Sequence, residues 1–245
     1  MASTKTVTGG QGRARLSVIG VGPGDPDLLT LKAVRLIKMA DVVAYPRTSG
    51  GETRARKTAA NLITPLHEEF PFELPMSTDP APAQAAYDAA AKRIANYLAA
   101  ARSVALLCEG DPLFYGSAAH LCARLAPKHA TDIVPGVTSL TAAAAEARLP
   151  LATRNDVLKV LPATLESEVL ARELAECNSA AIIKVGRHIR RIREIVAEAG
   201  LIDSAYFVSS ATCDEQSVVP LRDINVGAAP NVYFSIILIA RRAVS

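Results

Sequence analysis

The chain has 245 residues, of which 21% are charged, 50% are hydrophobic and 4% are aromatic, and its formal net charge is +3. This length is compatible with two domains of roughly 100 to 150 residues, each with a buried core. The small charge excess and the scarcity of aromatic rings argue against the clustered basic, base-stacking surface of a nucleic-acid-binding protein, so we expect no nucleic-acid partner.

The first half of the chain alternates between strand-like and helical patterns. Residues 1–15 are polar and lack the apolar run of a signal peptide, so we expect a disordered leader there. Apolar runs then predict strands, and apolar residues at helical spacing predict helices. The predicted strands cover 16–21, 41–45, 103–107 and 132–134. The predicted helices cover 28–39, 53–62, 83–101 and 117–126. This alternation indicates an α/β domain over 16–134.

The second half begins with a Pro-Gly turn at 135–136, followed by Thr138, Ser139 and an Ala-rich segment. This order predicts a turn followed by a helix with capping hydroxyls. We place the domain boundary here, so that the second domain covers 135–245. Strands are predicted at 157–161, 180–185, 205–209, 217–220 and 232–240. Because short polar turns rather than helices separate several of these strands, we expect a mixed or antiparallel second sheet.

Metal and membrane sites are not expected. The four cysteines and four histidines are dispersed, without CxxC or HExxH spacing, so the sequence predicts no protein-bound metal. Cysteines with this dispersed spacing fit a reducing compartment best, and we expect a cytoplasmic protein. The apolar run 232–240 is too short to span a bilayer, so no membrane partner is expected.

Two Gly-Asp-Pro turns each follow a predicted strand and precede a predicted helix. The first is Gly22-Pro23-Gly24-Asp25-Pro26-Asp27, and the second lies within Cys108-Glu109-Gly110-Asp111-Pro112-Leu113-Phe114-Tyr115-Gly116-Ser117. In α/β sheets such turns lie at the carboxyl ends of strands, where ligands bind. Either turn alone is equally consistent with an ordinary loop that carries a capping Asp.

Together with Pro135-Gly136-Val137-Thr138-Ser139, the two turns resemble the motifs of the tetrapyrrole methylase family, the class III S-adenosylmethionine-dependent methyltransferases. The resemblance extends over 16–242 and implies two α/β domains, with the cofactor in the cleft between them, and a homodimer. Segments 42–46, 108–117 and 211–216 further resemble the branch that methylates precorrin-2 at C(20) in cobalamin biosynthesis. In the last segment, Ser210 stands where this branch tends to have an Arg.

The resemblance implies that the protein binds S-adenosylmethionine as its cofactor and releases S-adenosylhomocysteine after the methyl transfer. Its implied cofactor-binding residues are Pro23, Gly110, Asp111, Leu113, Thr138, Ser139, Lys184, Val185, Ala211 and Thr212. Two of these have plain alternatives: Lys184 as a solvated charge at a strand end and Thr212 as an ordinary β-branched strand residue.

The implied reaction needs a proton acceptor and a carboxylate-binding surface. A methylated ring carbon must lose a proton, and the candidate groups that accept it or orient the ring are Asp111, Glu109 and Tyr115. A helix-capping role for Asp111 is an equal alternative. The tetrapyrrole substrate carries many carboxylates, which Arg binds in bidentate fashion. We therefore expect substrate contacts from Arg47, Tyr45 and Arg154, with further candidates at Arg54, Arg56, Arg187, Arg190 and Arg191.

Three alternatives stay open at this point. The same methylation could act on cobalt-factor II, the cobalt-loaded macrocycle, and nothing in the sequence separates that substrate from the metal-free one. A family member that methylates RNA or a protein side chain is a more distant alternative. The last is a non-catalytic tetrapyrrole-binding module.

Overall fold

The computed structural model describes residues 14–47, 53–75, 80–225, 227 and 232–240. The chain forms two compact units. The first comprises the chain up to Gly22 and Pro26–Gly136, and the second comprises Pro23–Asp25 and the chain from Val137 onward. Of the expected leader 1–15, only Ala14 and Arg15 fall within the described residues. Both units combine a sheet with helices, which confirms the predicted α/β class.

The first unit contains a five-stranded parallel sheet in the order β3-β2-β4-β1-β5. Its strands are β1 (Leu16–Gly20), β2 (Val42–Arg47), β3 (Glu68–Glu73), β4 (Val104–Cys108) and β5 (Thr131–Val134). Its helices are α1 (Leu31–Lys38), α2 (Arg54–Thr58), α3 (Pro80–Ala99) and α4 (Ala118–Leu125). Because all five strands run in one direction, their carboxyl ends lie at one edge of the sheet.

Both faces of this sheet are covered, which explains why every residue of β1 and β4 is buried. Residues on one face, such as Val18 and Leu106, pack with α3 and α4. Residues on the other face, such as Ile19 and Leu107, pack with α1 and α2. Strands β1 and β4 are thereby packed on both faces, directly before the turns that follow them.

Strand β3 is absent from the sequence prediction. Its sequence, Glu-Glu-Phe-Pro-Phe-Glu, carries three carboxylates and a proline, and it forms the edge of the sheet beside β2. Charges and proline are typical of edge strands, because they discourage pairing with another chain. The predicted helix 53–62 is also shorter than expected: α2 ends at Thr58 and a 3-10 turn covers Ala60–Leu62.

The second unit contains a mixed sheet in the order β6-β7-β10-β8-β9. Its strands are β6 (Leu158–Pro162), β7 (Ser179–Ile183), β8 (Ala205–Ser209), β9 (Ser217–Pro220) and β10 (Ser235–Ala240). Its helices are α5 (Ser139–Glu146), α6 (Ser167–Ala175) and α7 (Ile189–Glu198). β6 and β7 are parallel, and the other pairs are antiparallel, so the expected mixed sheet is confirmed.

The expectation of turns between these strands is wrong for two connections, because α6 joins β6 to β7 and α7 joins β7 to β8. Helix α6 buries Leu170 and Leu174, which lie four positions apart on one helical face, so its sequence carries a helical signal that the prediction left out. None of the helices that the structure describes is long and apolar enough to cross a membrane.

Candidate functional site

The turns after β1, β4 and β5 meet at the carboxyl edge of the first sheet. The amide of Gly110 donates to the Gly22 carbonyl at 2.8 Å, and the amide of Gly22 donates to the Gly110 carbonyl at 3.3 Å. Both glycines have positive φ, +80° at Gly22 and +63° at Gly110. A Cβ on Gly136 would lie 2.2 Å from the Gly110 carbonyl oxygen, so only glycine fits there. The backbone of Gly110, expected to approach the cofactor, is thus paired with Gly22.

Asp111 ties two of these turns together. Its Oδ1 accepts a hydrogen bond from the Leu113 amide at 2.9 Å, and its Oδ2 accepts one from the Gly136 amide at 3.1 Å. Both carboxylate oxygens therefore accept hydrogen bonds from backbone amides. These contacts are those of a structural group, and the catalytic role of Asp111 stays a prediction.

Glu109 lies beside the start of α2. Burial raises the pKa of the Glu109 carboxyl, and three influences oppose that rise: the charge of Arg54 and hydrogen bonds from the amides of Ala55 and Arg54. Among the arginines named from the sequence, Arg54 is therefore next to the turn that follows β4. A partly buried carboxylate with a raised pKa is the kind of group that serves as a proton acceptor.

The neighbouring Cys108 is an inert thiol. Its side chain is buried, and burial raises its pKa to about 11, so it is protonated at neutral pH. Its Sγ contacts the Glu109 carbonyl at 3.5 Å. The residue completes the core under the turn and offers no nucleophile.

Tyr45 and Arg56 meet at Glu69. The Tyr45 hydroxyl donates to Glu69 Oε2 at 2.7 Å, and Arg56 donates to both carboxylate oxygens at 3.0 Å. The bidentate Arg56 contact holds the pKa of Glu69 below its usual range. Burial raises the pKa of Tyr45, whose side chain is only 8% exposed. This arrangement holds α2 against the edge strand β3. The substrate contact expected of Tyr45 stays a prediction.

The structure does not bring the expected substrate residues together within one unit. Arg47 lies at the carboxyl end of β2, half exposed and paired with Glu73 at 2.9 Å. Arg154 belongs to the second unit, in the loop between α5 and β6, where it is exposed and has a φ of +50°. Their role as carboxylate-binding residues stays a prediction.

The cofactor residues expected in the second unit gather at one edge of its sheet. β7 and β8 are both antiparallel to β10, so both end at the same edge, at Ile183 and Ser209. The residues that follow include Lys184, Ser210 and Thr212, which have φ values of +57°, +47° and +68°. Non-glycine residues rarely adopt these angles, and clusters of them mark functional sites.

The segment Pro23–Asp25 packs on this same edge of the second unit. The Asp25 amide donates to Thr212 Oγ1 at 3.1 Å, and a Cβ on Gly24 would lie 2.2 Å from Cys213 Sγ. Pro23 is thereby brought next to the segment that carries Ala211 and Thr212, and its contact with the cofactor stays a prediction. The contact with Cys213 could not be predicted from sequence, because it joins residues almost 190 positions apart.

Thr138 caps helix α5. Its Oγ1 accepts a hydrogen bond from the Thr141 amide at 3.3 Å, which confirms the predicted capping hydroxyl. Ser139 is the first residue of the helix and is exposed. Cofactor contacts from these hydroxyls stay predictions.

Arg191 is engaged inside the second unit. It donates to the carbonyl of Leu165 at 2.9 Å, to Ser167 Oγ at 3.1 Å and to the carbonyl of Ala163. These contacts hold the loop after β6 and make Arg191 a structural residue. Within the described ranges, no three His, Cys, Asp or Glu side chains are arranged to hold a metal ion.

The comparisons with known proteins agree on one family. The profile of the tetrapyrrole (corrin/porphyrin) methylases matches residues 15–225. A precorrin-2 C(20)-methyltransferase of Sinorhizobium sp is 40% identical over 238 residues, which are 94% of this chain and 96% of that protein. The cobalt-precorrin-2 C(20)-methyltransferase of Salmonella typhimurium is 31% identical over 230 residues, 93% of this chain and 97% of that protein.

A solved structure gives the same fold. The uroporphyrin-III C-methyltransferase of Thermus thermophilus, complexed with S-adenyl homocysteine, matches with a TM-score of 0.66 and 23% sequence identity. The match covers 93% of this chain and 97% of that one.

Proposed function

Because the chain belongs to the tetrapyrrole (corrin/porphyrin) methylases, we propose that it transfers a methyl group from S-adenosylmethionine to C(20) of precorrin-2 in cobalamin biosynthesis. The observation that carries this proposal is the 40% identity to the Sinorhizobium enzyme along almost the whole of both chains. The cobalt-precorrin enzyme is more distant, at 31%. The RNA, protein and non-catalytic alternatives gain no support from these matches.

The groups present fit S-adenosylmethionine chemically. This ligand has an amino acid end, ribose hydroxyls and an adenine ring, which need hydrogen-bonding and apolar partners more than a strongly charged pocket. The edge of the second sheet offers the Thr212 hydroxyl, which accepts a hydrogen bond from the Asp25 amide, and the adjacent Ala211, whereas Val185 is fully buried in the core. We assign ribose and adenine to Lys184, Val185, Ala211 and Thr212. The methionyl end is assigned to Gly110, Asp111 and Leu113. Pro23 is assigned to the lining of the cofactor site, and Thr138 and Ser139 to contacts with polar atoms of the cofactor. That the cofactor lies in an interdomain cleft stays a prediction from the resemblance.

The protein's task in this reaction is alignment and proton removal. The bound cofactor supplies a methyl group on a sulfonium, and a ring carbon of the substrate forms the new C–C bond as the C–S bond breaks. The residues must hold that carbon in line at about 3 to 3.5 Å. Glu109 and Tyr115 stay candidates for accepting the proton, whereas both oxygens of Asp111 already accept backbone hydrogen bonds.

A side-by-side turnover assay tests this function against its nearest alternative. The purified protein, S-adenosylmethionine and either metal-free precorrin-2 or its cobalt-loaded counterpart are incubated without oxygen, and the initial rates are compared. We expect faster methylation of the metal-free substrate. Faster turnover of the cobalt-loaded form would contradict the choice of substrate, and methylation of neither would contradict the activity.

The remaining assignments are also proposals. We infer a homodimer from the resemblance. From the dispersed cysteines, the small charge excess and the lack of a long apolar run, we infer a cytoplasmic protein without nucleic-acid or membrane partners. Equilibrium sedimentation of the purified protein tests the dimer, which a monomer mass would contradict.

A further inference from the structure

Tyr115 has a left-handed backbone, with a φ of +57°, in the turn between β4 and α4. The turn closes on itself, since the Phe114 amide donates to the Asp111 carbonyl at 3.3 Å. The next residue, Gly116, lies close to the start of the same turn, since a Cβ on it would come within 2.8 Å of the carbonyl oxygens of both Asp111 and Pro112. The closed turn therefore imposes the left-handed conformation on residue 115. Glycine would adopt it without strain, yet the position carries an aromatic side chain.

The Tyr115 ring is exposed to solvent rather than buried in the core. Half of its surface is exposed, at 50%, and its edge contacts the ring of Phe114 at a centroid distance of 5.2 Å and an interplanar angle of 90°. An exposed aromatic ring on a strained turn is a costly arrangement for stability alone. Strain that the surrounding structure maintains at such a place points to function.

The surroundings of this ring indicate its ligand. The turn lies at the carboxyl edge of the first sheet, where the charge of Arg54 reaches Glu109 and where Arg47 ends β2. An aromatic surface with guanidinium groups along the same edge complements a flat conjugated macrocycle with carboxylates around its rim. The sulfonium cofactor has no such combination of a broad apolar face and several carboxylates.

We propose that the ring of Tyr115 packs against the tetrapyrrole macrocycle and positions it for methylation. This role deepens the proposed function and rests on it. It requires the ring and not the hydroxyl, and it separates Tyr115 from the residues assigned to the cofactor.

Three variants test the proposal: Tyr115→Gly, Tyr115→Phe and, as a matched control, Leu66→Ala. Leu66 is a 93% exposed apolar side chain in the turn before β3, at the opposite edge of the sheet. Dissociation constants are measured for precorrin-2 under anaerobic conditions and for S-adenosylmethionine, together with the unfolding temperature.

Tyr115→Gly removes the ring and relieves the strain, so we expect precorrin-2 affinity to fall about tenfold, as for loss of an aromatic anchor. The unfolding temperature should stay equal or rise, and the S-adenosylmethionine affinity should stay unchanged. Tyr115→Phe and Leu66→Ala should bind both ligands like the wild type.

Unchanged precorrin-2 affinity in Tyr115→Gly would overturn the proposal. So would an equal loss in Tyr115→Phe, which would assign the role to the hydroxyl, or a parallel loss of S-adenosylmethionine affinity. Failure of the wild-type protein to bind precorrin-2 at all is a different result, because it would contradict the proposed function itself.

Discussion

The two units differ in the residues that follow their buried strands, at the edge where β1 and β4 end in the first unit and the edge where β7 and β8 end in the second. In the first unit, the left-handed positions next to β1 and β4 are the glycines Gly22 and Gly110, and the adjacent turns touch backbone to backbone. In the second unit, the comparable positions are Lys184, Ser210 and Thr212. A left-handed backbone costs a residue with a side chain about 1 kcal/mol or more. The first edge is therefore organised for close packing, and the second retains side chains despite their conformational cost.

Tyr115 is the exception within the first unit, since it combines a left-handed backbone with a large side chain. It lies in the same turn as Gly110 and immediately before Gly116. The turn thus has left-handed backbone at two kinds of residue. Gly110 lies where backbone atoms meet, and Tyr115 lies where an aromatic ring is exposed. This contrast is the basis of the following predictions.

The largest effect is expected where glycine is sterically required. Gly136→Ala would place a Cβ 2.2 Å from the Gly110 carbonyl oxygen and 2.8 Å from the Gly20 carbonyl carbon, and neither backbone can move freely. We expect the free energy of unfolding, measured in urea, to fall by about 3 kcal/mol.

Gly200→Ala is the matched control for that substitution. Gly200 has a φ of +70°, and a Cβ there would meet nothing within 4 Å, so only the backbone cost of about 1 kcal/mol applies. Equal losses in the two variants would show that close packing of the turns is not what requires Gly136.

An intermediate effect is expected at Lys184, where a side chain is kept in a glycine-like conformation. Lys184→Gly relieves that strain, so stability should stay equal or rise by about 0.5 kcal/mol. The affinity for S-adenosylmethionine, measured by calorimetry, should fall about tenfold if the side chain contacts the cofactor.

Ala101→Gly provides the control, because Ala101 has a similar φ of +60° in the first unit and is exposed. It should gain a similar stability and keep full affinity. If Lys184→Gly also keeps full affinity, the strained residues of the second edge have no role in cofactor binding.

The smallest effect is expected at Glu69, which lies near the amino end of the edge strand β3. The hydrogen bonds from Arg56 are the chief cause that lowers the pKa of Glu69 in the folded protein. The ion pair therefore stabilises the protein fully above the ordinary glutamate pKa of 4.5, and this stabilisation is lost as the pH falls through the folded pKa. Glu69→Gln should cost about 0.5 kcal/mol at pH 7, since both partners are about one third exposed.

The stability difference between Glu69→Gln and the wild type should disappear in acid, as followed by urea unfolding from pH 7 to pH 3. Glu73→Gln breaks the more exposed pair with Arg47 and should change stability less. A difference at Glu69 that is independent of pH would contradict the ion pair as its cause.

Much of the architecture is predictable from sequence. The alternation of β1, α1 and β2, the turns after β1 and β4, and the mixed second sheet follow from hydrophobic pattern and turn residues. Strand β3 does not, because an edge strand carries charges and Pro71 in place of an apolar run. Helix α6 differs, because Leu170 and Leu174 have helical spacing and its omission is an error of the prediction rather than a property of the sequence.

The candidate site is less predictable, because the hydrogen-bond partners of its residues are distant in sequence. The Gly-Asp-Pro motif identifies Asp111, but only the structure shows its contact with the Gly136 amide, 25 residues away. Tyr45 and Arg56 likewise meet at Glu69, on the strand that the sequence does not reveal. The local sequence pattern therefore identifies the turns, whereas tertiary contacts determine which of the polar groups already have hydrogen-bond partners within the protein.

The most direct test of the account is where the methyl group goes. The protein is incubated anaerobically with precorrin-2 and S-adenosylmethionine labelled with carbon-13 at the methyl, and the product is examined by mass spectrometry and carbon-13 NMR. The account predicts one labelled methyl group, attached to C(20). A label at another ring position, or no transfer despite confirmed binding of S-adenosylmethionine, would contradict it.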